Sequence, residues 1–179
     1  NAQKDQPKSE IAVMKKIIAR ASAAKDYGQL LAAEIRQTTL WKEISADSLT
    51  PNVKRMEAEV LKVNDPALKA VRYAVLGKVY FDMNEKKSQE FFKKALEQPE
   101  LLAKHASADY VPLTQKGVDG SSFNNDLLHL IGFEADSKDA YLLLYTYYNK
   151  VGNRGAACLC AYKLIEKYRQ DDVREVRKS

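Results

Sequence analysis

S-K-D-A-Y-L-L-L-Y-T-Y-Y-N-K-V-G-N-R-G-A-A-C-L-C-A-Y-K-L-I-E-K-Y, Ser137 to Tyr168, carries the clearest structural signal in the chain. Two apolar-periodic segments flank a short turn, Lys150 to Asn153. In the first, Tyr141, Leu144, Tyr145 and Tyr148 recur at i, i+3, i+4 and i+7, the spacing that lines one face of an α-helix. Leu142, Leu143 and Tyr147 make the other side apolar too, so this helix is expected to pack on several sides. Ser137 suits the N-cap, because its hydroxyl accepts from a free first-turn amide. Gly152 suits the far end, where the chain turns left-handed and a Cβ is costly. In the second segment Ala157, Cys160, Ala161, Leu164, Ile165 and Tyr168 keep helical spacing, with Asn153 as the expected cap. Small residues at Ala156, Ala157 and Ala161 let the two backbones approach closely. The reading is an antiparallel helix pair, the unit of a helical-repeat protein.

A large aromatic face against small residues resembles the packing of tetratricopeptide repeats. Leu144, Tyr148, Gly152 and Ala157 fall on that repeat's large, aromatic, turn and small positions, while Ala161 replaces its later aromatic. Upstream, L-G-K-V-Y-F-D-M-N-E-K-K-S-Q-E-F-F-K-K-A-L-E-Q-P, Leu76 to Pro99, shows the pattern again. Leu76, Gly77, Tyr80, Phe92 and Ala95 fit it if the turn is one residue short. The fold class expected is all-α, with antiparallel helix pairs stacked as a short, irregular tetratricopeptide-like solenoid.

The remaining chain supplies further helix signals. Ser9 reads as the cap of a first helix carrying Ile11, Met14, Ile17, Ile18 and Ala21. Tyr27-Gly28 opens a second, antiparallel to the first across a short turn. S-A-D-S-L-T-P, Ser45 to Pro51, reads as a loop, with Thr50 capping a third helix and Pro51 as its first residue. Asp65-Pro66 repeats that start signal, and Asn84-Glu85 marks the turn into a fifth helix. Pro99 to His105 reads as a short helix, Gln115 to Phe123 as a Gly-containing loop, and Asn125-Asp126 as the start of a short apolar helix. The expected organisation is a flexible segment over residues 1–8, a single helical-repeat domain over 9–169, and a charged tail or linker over 170–179.

A chain of 179 residues is long enough for one domain with a real core. Hydrophobic residues at 45% argue against disorder, and only 7 Gly and 5 Pro favour helices over a sandwich or barrel. The net charge of +5 is modest, and the cations alternate with acids along the helices, so no nucleic-acid partner is expected. No apolar run approaches the ~20 residues that cross a bilayer. A start at Asn1 fits either a removed signal peptide or an excised domain.

Residue types suited to catalysis or metal binding are few and scattered. Cys158 and Cys160 point about 200° apart on a helix, cannot bridge each other, and lack a second cluster for zinc. Both are expected to be small buried residues. The histidines His105 and His129 have no metal-binding or catalytic spacing. His129, between Leu128 and Leu130, is expected to be partly buried and satisfied. A nucleophilic arrangement of Cys158 or Cys160 with His129 and Asp126 would need a tertiary coincidence. Asp119, Asn124 and Asp126 do not follow a calcium-loop spacing. Catalytic, metal and cofactor residues are therefore expected to be none. Tyr141, Tyr145 and Tyr148 form the candidate protein-binding face, because Tyr combines contact area with a hydroxyl handle. At least one of them is expected to be exposed beside a groove; the competing reading is that all three fill the core.

Five segments in order give one further resemblance: P-K-S-E-I-A-V-M-K-K-I, D-Y-G-Q-L-L, L-E-Q-P-E-L-L, S-S-F-N-N-D-L-L-H-L-I-G-F-E-A and N-R-G-A-A-C-L-C-A. Together they resemble the N-terminal helical region of large bacterial alpha-macroglobulin-like proteins. The resemblance implies an exported, periplasmic or envelope location and a non-catalytic helical region preceding macroglobulin-type β domains. Members of that group that trap proteases carry a thioester sequence far downstream; C-L-C here is not that sequence. The function expected is a non-catalytic scaffold or interaction domain. Its partner would be a protein, a peptide or a downstream domain of the same chain. The alternatives are a small enzyme with a cryptic site and a weak nucleic-acid binder using the positive charge.

Overall fold

Helices begin where a short polar side chain can accept the first free amides. The computed structural model describes residues 2–106, 120–123 and 125–178. Among these the chain is all-α, without a strand; one isolated bridge joins Ala106 to Asp126. Helix α1 spans Ala2–Ala24 and α2 Tyr27–Ile44, the latter capped by Asp26, whose carboxylate accepts from the Gln29 amide at 3.2 Å. Helix α3 spans Ala46–Val60. Helix α4, Pro66–Tyr80, starts at Asp65, which accepts from the Ala67 and Leu68 amides at 2.9 and 3.2 Å, with Pro66 in the first turn. Asn84 caps α5, Glu85–Ala95, and α6 follows at Pro99–Ala103. A 3-10 turn, Gly120–Phe123, leads to α7, Leu127–Ala135, capped by Asp126. Ser137 caps α8, Lys138–Lys150, and α9 spans Arg154–Lys178. Between these two, Gly152 takes φ +79°, and Asn153 Oδ1 accepts from the Ala156 amide at 3.1 Å.

Some helix boundaries differ from the sequence reading; α6, for one, ends at Ala103 and not at His105. Helix α1 begins at Ala2 and not at Ser9, running through Pro7, which removes a single backbone donor. Helix α3 begins at Ala46 and not at Pro51. Ser45 is extended, its hydroxyl accepts from the Asp47 amide at 3.2 Å, and Pro51 lies inside the helix. After Tyr168 the charged residues continue α9 to Lys178. Most of the loop expected over Gln115 to Phe123 lies outside the described residues.

Neighbours in sequence pack most extensively as three pairs, α1 with α2, α4 with α5 and α8 with α9; short turns make them antiparallel. Helix α4 also packs on α2, α3 and α7. Gly77 lets the Phe92 ring lie on the α4 backbone: a Cβ there would sit 2.6 Å from a ring carbon. The buried Ser88 hydroxyl donates to the Gly77 carbonyl at 2.7 Å and ties the same two helices. Helix α7 touches α2, α4, α5, α6 and α8, and every residue in it except Glu134 is buried. Gly132 admits Leu144 of α8, whose methyl would meet a Cβ at 2.5 Å. One continuous apolar core runs from Ala21 to Cys160, and a small second cluster, Met14, Ala33 and Leu40, lies between α1 and α2. No helix among the described residues is long and apolar enough to cross a membrane.

Candidate functional site

The three tyrosines of α8 do not share an environment. Tyr141 and Tyr148 are buried, and Tyr145 is 37% exposed. At about 100° per residue, Tyr145 stands some 40° to one side of Tyr141, enough to leave the buried sector. The Tyr148 hydroxyl donates to Asp126, lying 2.8 Å from both carboxylate oxygens. Asp126 Oδ1 also accepts from the His129 amide at 2.8 Å and lies 3.1 Å from His129 Nδ1. The His129 ring stacks on Phe123 at 4.6 Å between centroids, and Phe123 meets Phe133 and Tyr148 edge-on. One carboxylate thus caps α7, orients a histidine and anchors α8. Burial first, then the Asp126 charge, holds the Tyr148 phenol well above its ordinary value.

Asp126 also acts on Cys160 of α9. Burial, reinforced by that charge, pushes the thiol up to about 12. A thiol that keeps its proton at neutral pH is a poor nucleophile. Asp126 and His129 are buried with it, so the cysteine, histidine and aspartate that share this region form a structural knot. His129 is the satisfied, buried histidine that its apolar neighbours suggested. Cys158 corrects the sequence reading, because it is exposed. The same divergence of i and i+2 that forbids a bridge points one thiol inward and the other out.

Tyr141 anchors the opposite end of α7. Its hydroxyl donates to Asp136 Oδ1 at 2.6 Å, and Lys167 of α9 reaches Asp136 Oδ2 at 2.7 Å. Burial and then this hydrogen bond raise the Tyr141 phenol. His105 meets Tyr27 edge-on at 5.0 Å, and its carbonyl accepts from the Leu127 amide at 2.8 Å. Asp119 and Asn124 lie outside the described residues. Among the described residues no three His, Cys, Asp or Glu side chains gather as metal ligands.

Sequence reasoning missed the tertiary partners of several acids. Asp65, legible as a cap, also accepts from the Tyr27 hydroxyl. That bond is the main cause holding the Asp65 carboxyl below its ordinary value, while burial and Asp65 push Tyr27 up to about 12. Buried Glu34 of α2 pairs with Arg72 of α4, and its second oxygen has no partner among the described residues. Tyr80 donates to Glu57 at 2.6 Å, linking α4 to α3. The Asp65 and Glu34 partners lie 38 residues away and the Tyr80 partner 23, beyond any helical spacing.

Two surface features remain. On α9, Tyr162, Ile165, Val173 and Val176 are each more than half exposed. With Cys158 they fall within a strip about 80° wide, which exposed Arg169 interrupts between Ile165 and Val173, directed away from buried Ala157 and Cys160. A cleft of about 300 Å³ lies between α4 and the α5–α6 segment; Tyr73 lines it, and none of Tyr141, Tyr145 and Tyr148 does. Comparisons with protein-family models, curated proteins and solved structures give no match to this chain.

Proposed function

We propose that the chain is a non-catalytic, tetratricopeptide-like helical-repeat module that holds another protein domain against the outer face of α9. The observation that carries this reading is the strip of Tyr162, Ile165, Val173 and Val176. In a stack of helix pairs the outer face of one pair packs on the next, and a terminal pair that ends the stack carries a polar outer face. An outer strip with four exposed apolar side chains around the single cation Arg169 therefore calls for cover. Tyr145 and Leu142 are also exposed, on α8 of the same pair. The resemblance to the N-terminal region of alpha-macroglobulin-like proteins supports a β domain of the same polypeptide as the cover, in an exported envelope protein. Against a nucleic-acid reading, many cations are matched by acids, among them Arg36 with Glu10, Lys78 with Glu134 and Lys138 with Asp171.

The test compares hydrogen exchange of α9 in the isolated domain and in the polypeptide encoded by the whole gene. Extra protection over residues 158–176 in the longer chain, abolished by Tyr162→Asp with Ile165→Asp, supports the reading. Equal exchange in both, or a stop codon directly after Ser179, counts against it.

A further inference from the structure

We propose that the cleft between α4 and α5–α6 binds a small amphipathic monocarboxylate, a site separate from the α9 surface. Lys69, Ala70 and Tyr73 line one wall at i, i+1 and i+4 of α4, and Lys94 and Glu97 line the other. Leu102, fully buried, closes the floor. The volume of about 300 Å³ is at the lower end for ligand pockets, which fits one ring or branched chain and its acid group. Lys94 Nζ lies 5.6 Å from the centroid of Tyr73, which also lines the cleft, and 5.8 Å from that of Phe91, so the aromatic pair holds the ammonium beside the cleft wall. Neither Lys69 nor Lys94 pairs with an acid among the described residues, although Arg72, Lys78 and Lys87 of the same two helices do. Two ammonium groups against the single carboxylate of Glu97 leave the cleft with an excess positive charge above an apolar floor. A ligand that satisfies both features carries an apolar body and one negative charge at its open end. Lys69 and Lys94 would bracket that carboxylate while Ala70, Tyr73 and Leu102 receive the body.

The experiment is a titration of the folded domain with 4-phenylbutyrate, followed by backbone amide shifts and calorimetry. The expected shifts cluster at residues 66–73 and 94–102. Lys69→Gln and Lys94→Gln should each weaken binding about two- to fivefold, the range for an exposed ion pair, and Lys93→Gln should leave it unchanged. The uncharged 4-phenylbutanol should bind far more weakly. Acetyl-Gly-Gly-Phe separates the sources of this chemistry: binding tighter than the free acid assigns the site to a peptide C-terminus, and weaker binding assigns it to a free organic acid. Equal binding of acid and alcohol overturns the proposal, as does indifference to both lysine substitutions or shifts confined to other parts of the surface. All three lysine substitutions are on partly or fully exposed side chains, so folding is retained and each result is interpretable.

Discussion

The α4–α5 pair and the α8–α9 pair use the same alternation of large and small residues but occupy different surroundings. In the first, Gly77 receives Phe92, and α4 is also covered by α2, α3 and α7. In the second, Ala156, Ala157 and Cys160 of α9 and Leu144 and Tyr148 of α8 are buried, and cover comes mainly from α7 and the 3-10 turn. Eight residues of α4 are buried against four of α8, although α8 is the more aromatic helix. The lesson is that periodicity names the face turned to the partner helix, while the number of further neighbours decides how much else is buried. Their acids differ as well. Asp126 at the second pair uses both oxygens, whereas Glu34 beside the first pair uses one, on Arg72.

The largest test of this contrast is Tyr148→Ala, which removes a buried ring and strips Asp126 of its hydroxyl partner. It should cost about 3–5 kcal/mol in denaturant unfolding. Tyr148→Phe keeps the ring and should cost about 1–3 kcal/mol, the penalty for an unsatisfied buried group. A loss below that range for both variants would mean that the Asp126 knot does not hold α7 to α8.

Gly132→Ala and Gly77→Ala probe the two close approaches directly. Each added methyl collides with Leu144 or Phe92, which should cost about 1–3 kcal/mol, partly offset by about 1 kcal/mol of helix propensity. If the second pair is the less constrained, Gly132→Ala will be the milder of the two, because α8 has fewer neighbours to resist the shift. A Gly77→Ala variant stabilised by about 1 kcal/mol, the whole of the helix-propensity gain, would show that Phe92 can move away at no cost.

The Tyr27–Asp65 bond ties the start of α2 to the cap of α4 and gives a pH signature. Asp65 has a lowered folded value, so its contribution is complete above the ordinary carboxylate value of about 4 and fades as the pH falls through the folded value. Tyr27 is raised to about 12, so its contribution is complete below about pH 10 and is lost as the pH rises through about 12. Tyr27→Phe should remove about 1 kcal/mol near neutral pH and flatten both limbs of the stability curve. Unchanged limbs would show that this bond contributes nothing.

The smallest effects belong to the outer side of the second pair. Tyr145→Ala should change stability by less than about 1 kcal/mol, as at an ordinary surface position. A thiol reagent should label Cys158 rapidly in the native domain and Cys160 only after unfolding. A loss of several kcal/mol at Tyr145, or labelling of Cys158 only after unfolding, would show that the outer faces of α8 and α9 are packed, and fast native labelling of Cys160 would show that the contact between the two helices is open.

The helices and many of their ends are legible in the amino-acid order alone. Short polar caps at Asp65, Asn84, Asp126 and Ser137, the left-handed turn at Gly152, and apolar spacing at three and four residues are local signals, because capping and helical geometry act within one turn. The same locality explains the misplaced start of α3. Ser45 and Thr50 are both competent caps, and the residues between them also tolerate helix. It took the packing of helices on one another to settle which tyrosine of α8 meets solvent, which of Cys158 and Cys160 faces out, and which acids take a second partner. A helical wheel orders residues around an axis and carries no information about which sectors other helices will cover. The positions of α7 and α9 place Tyr148 on Asp126, 22 residues away, and leave Tyr145 outside.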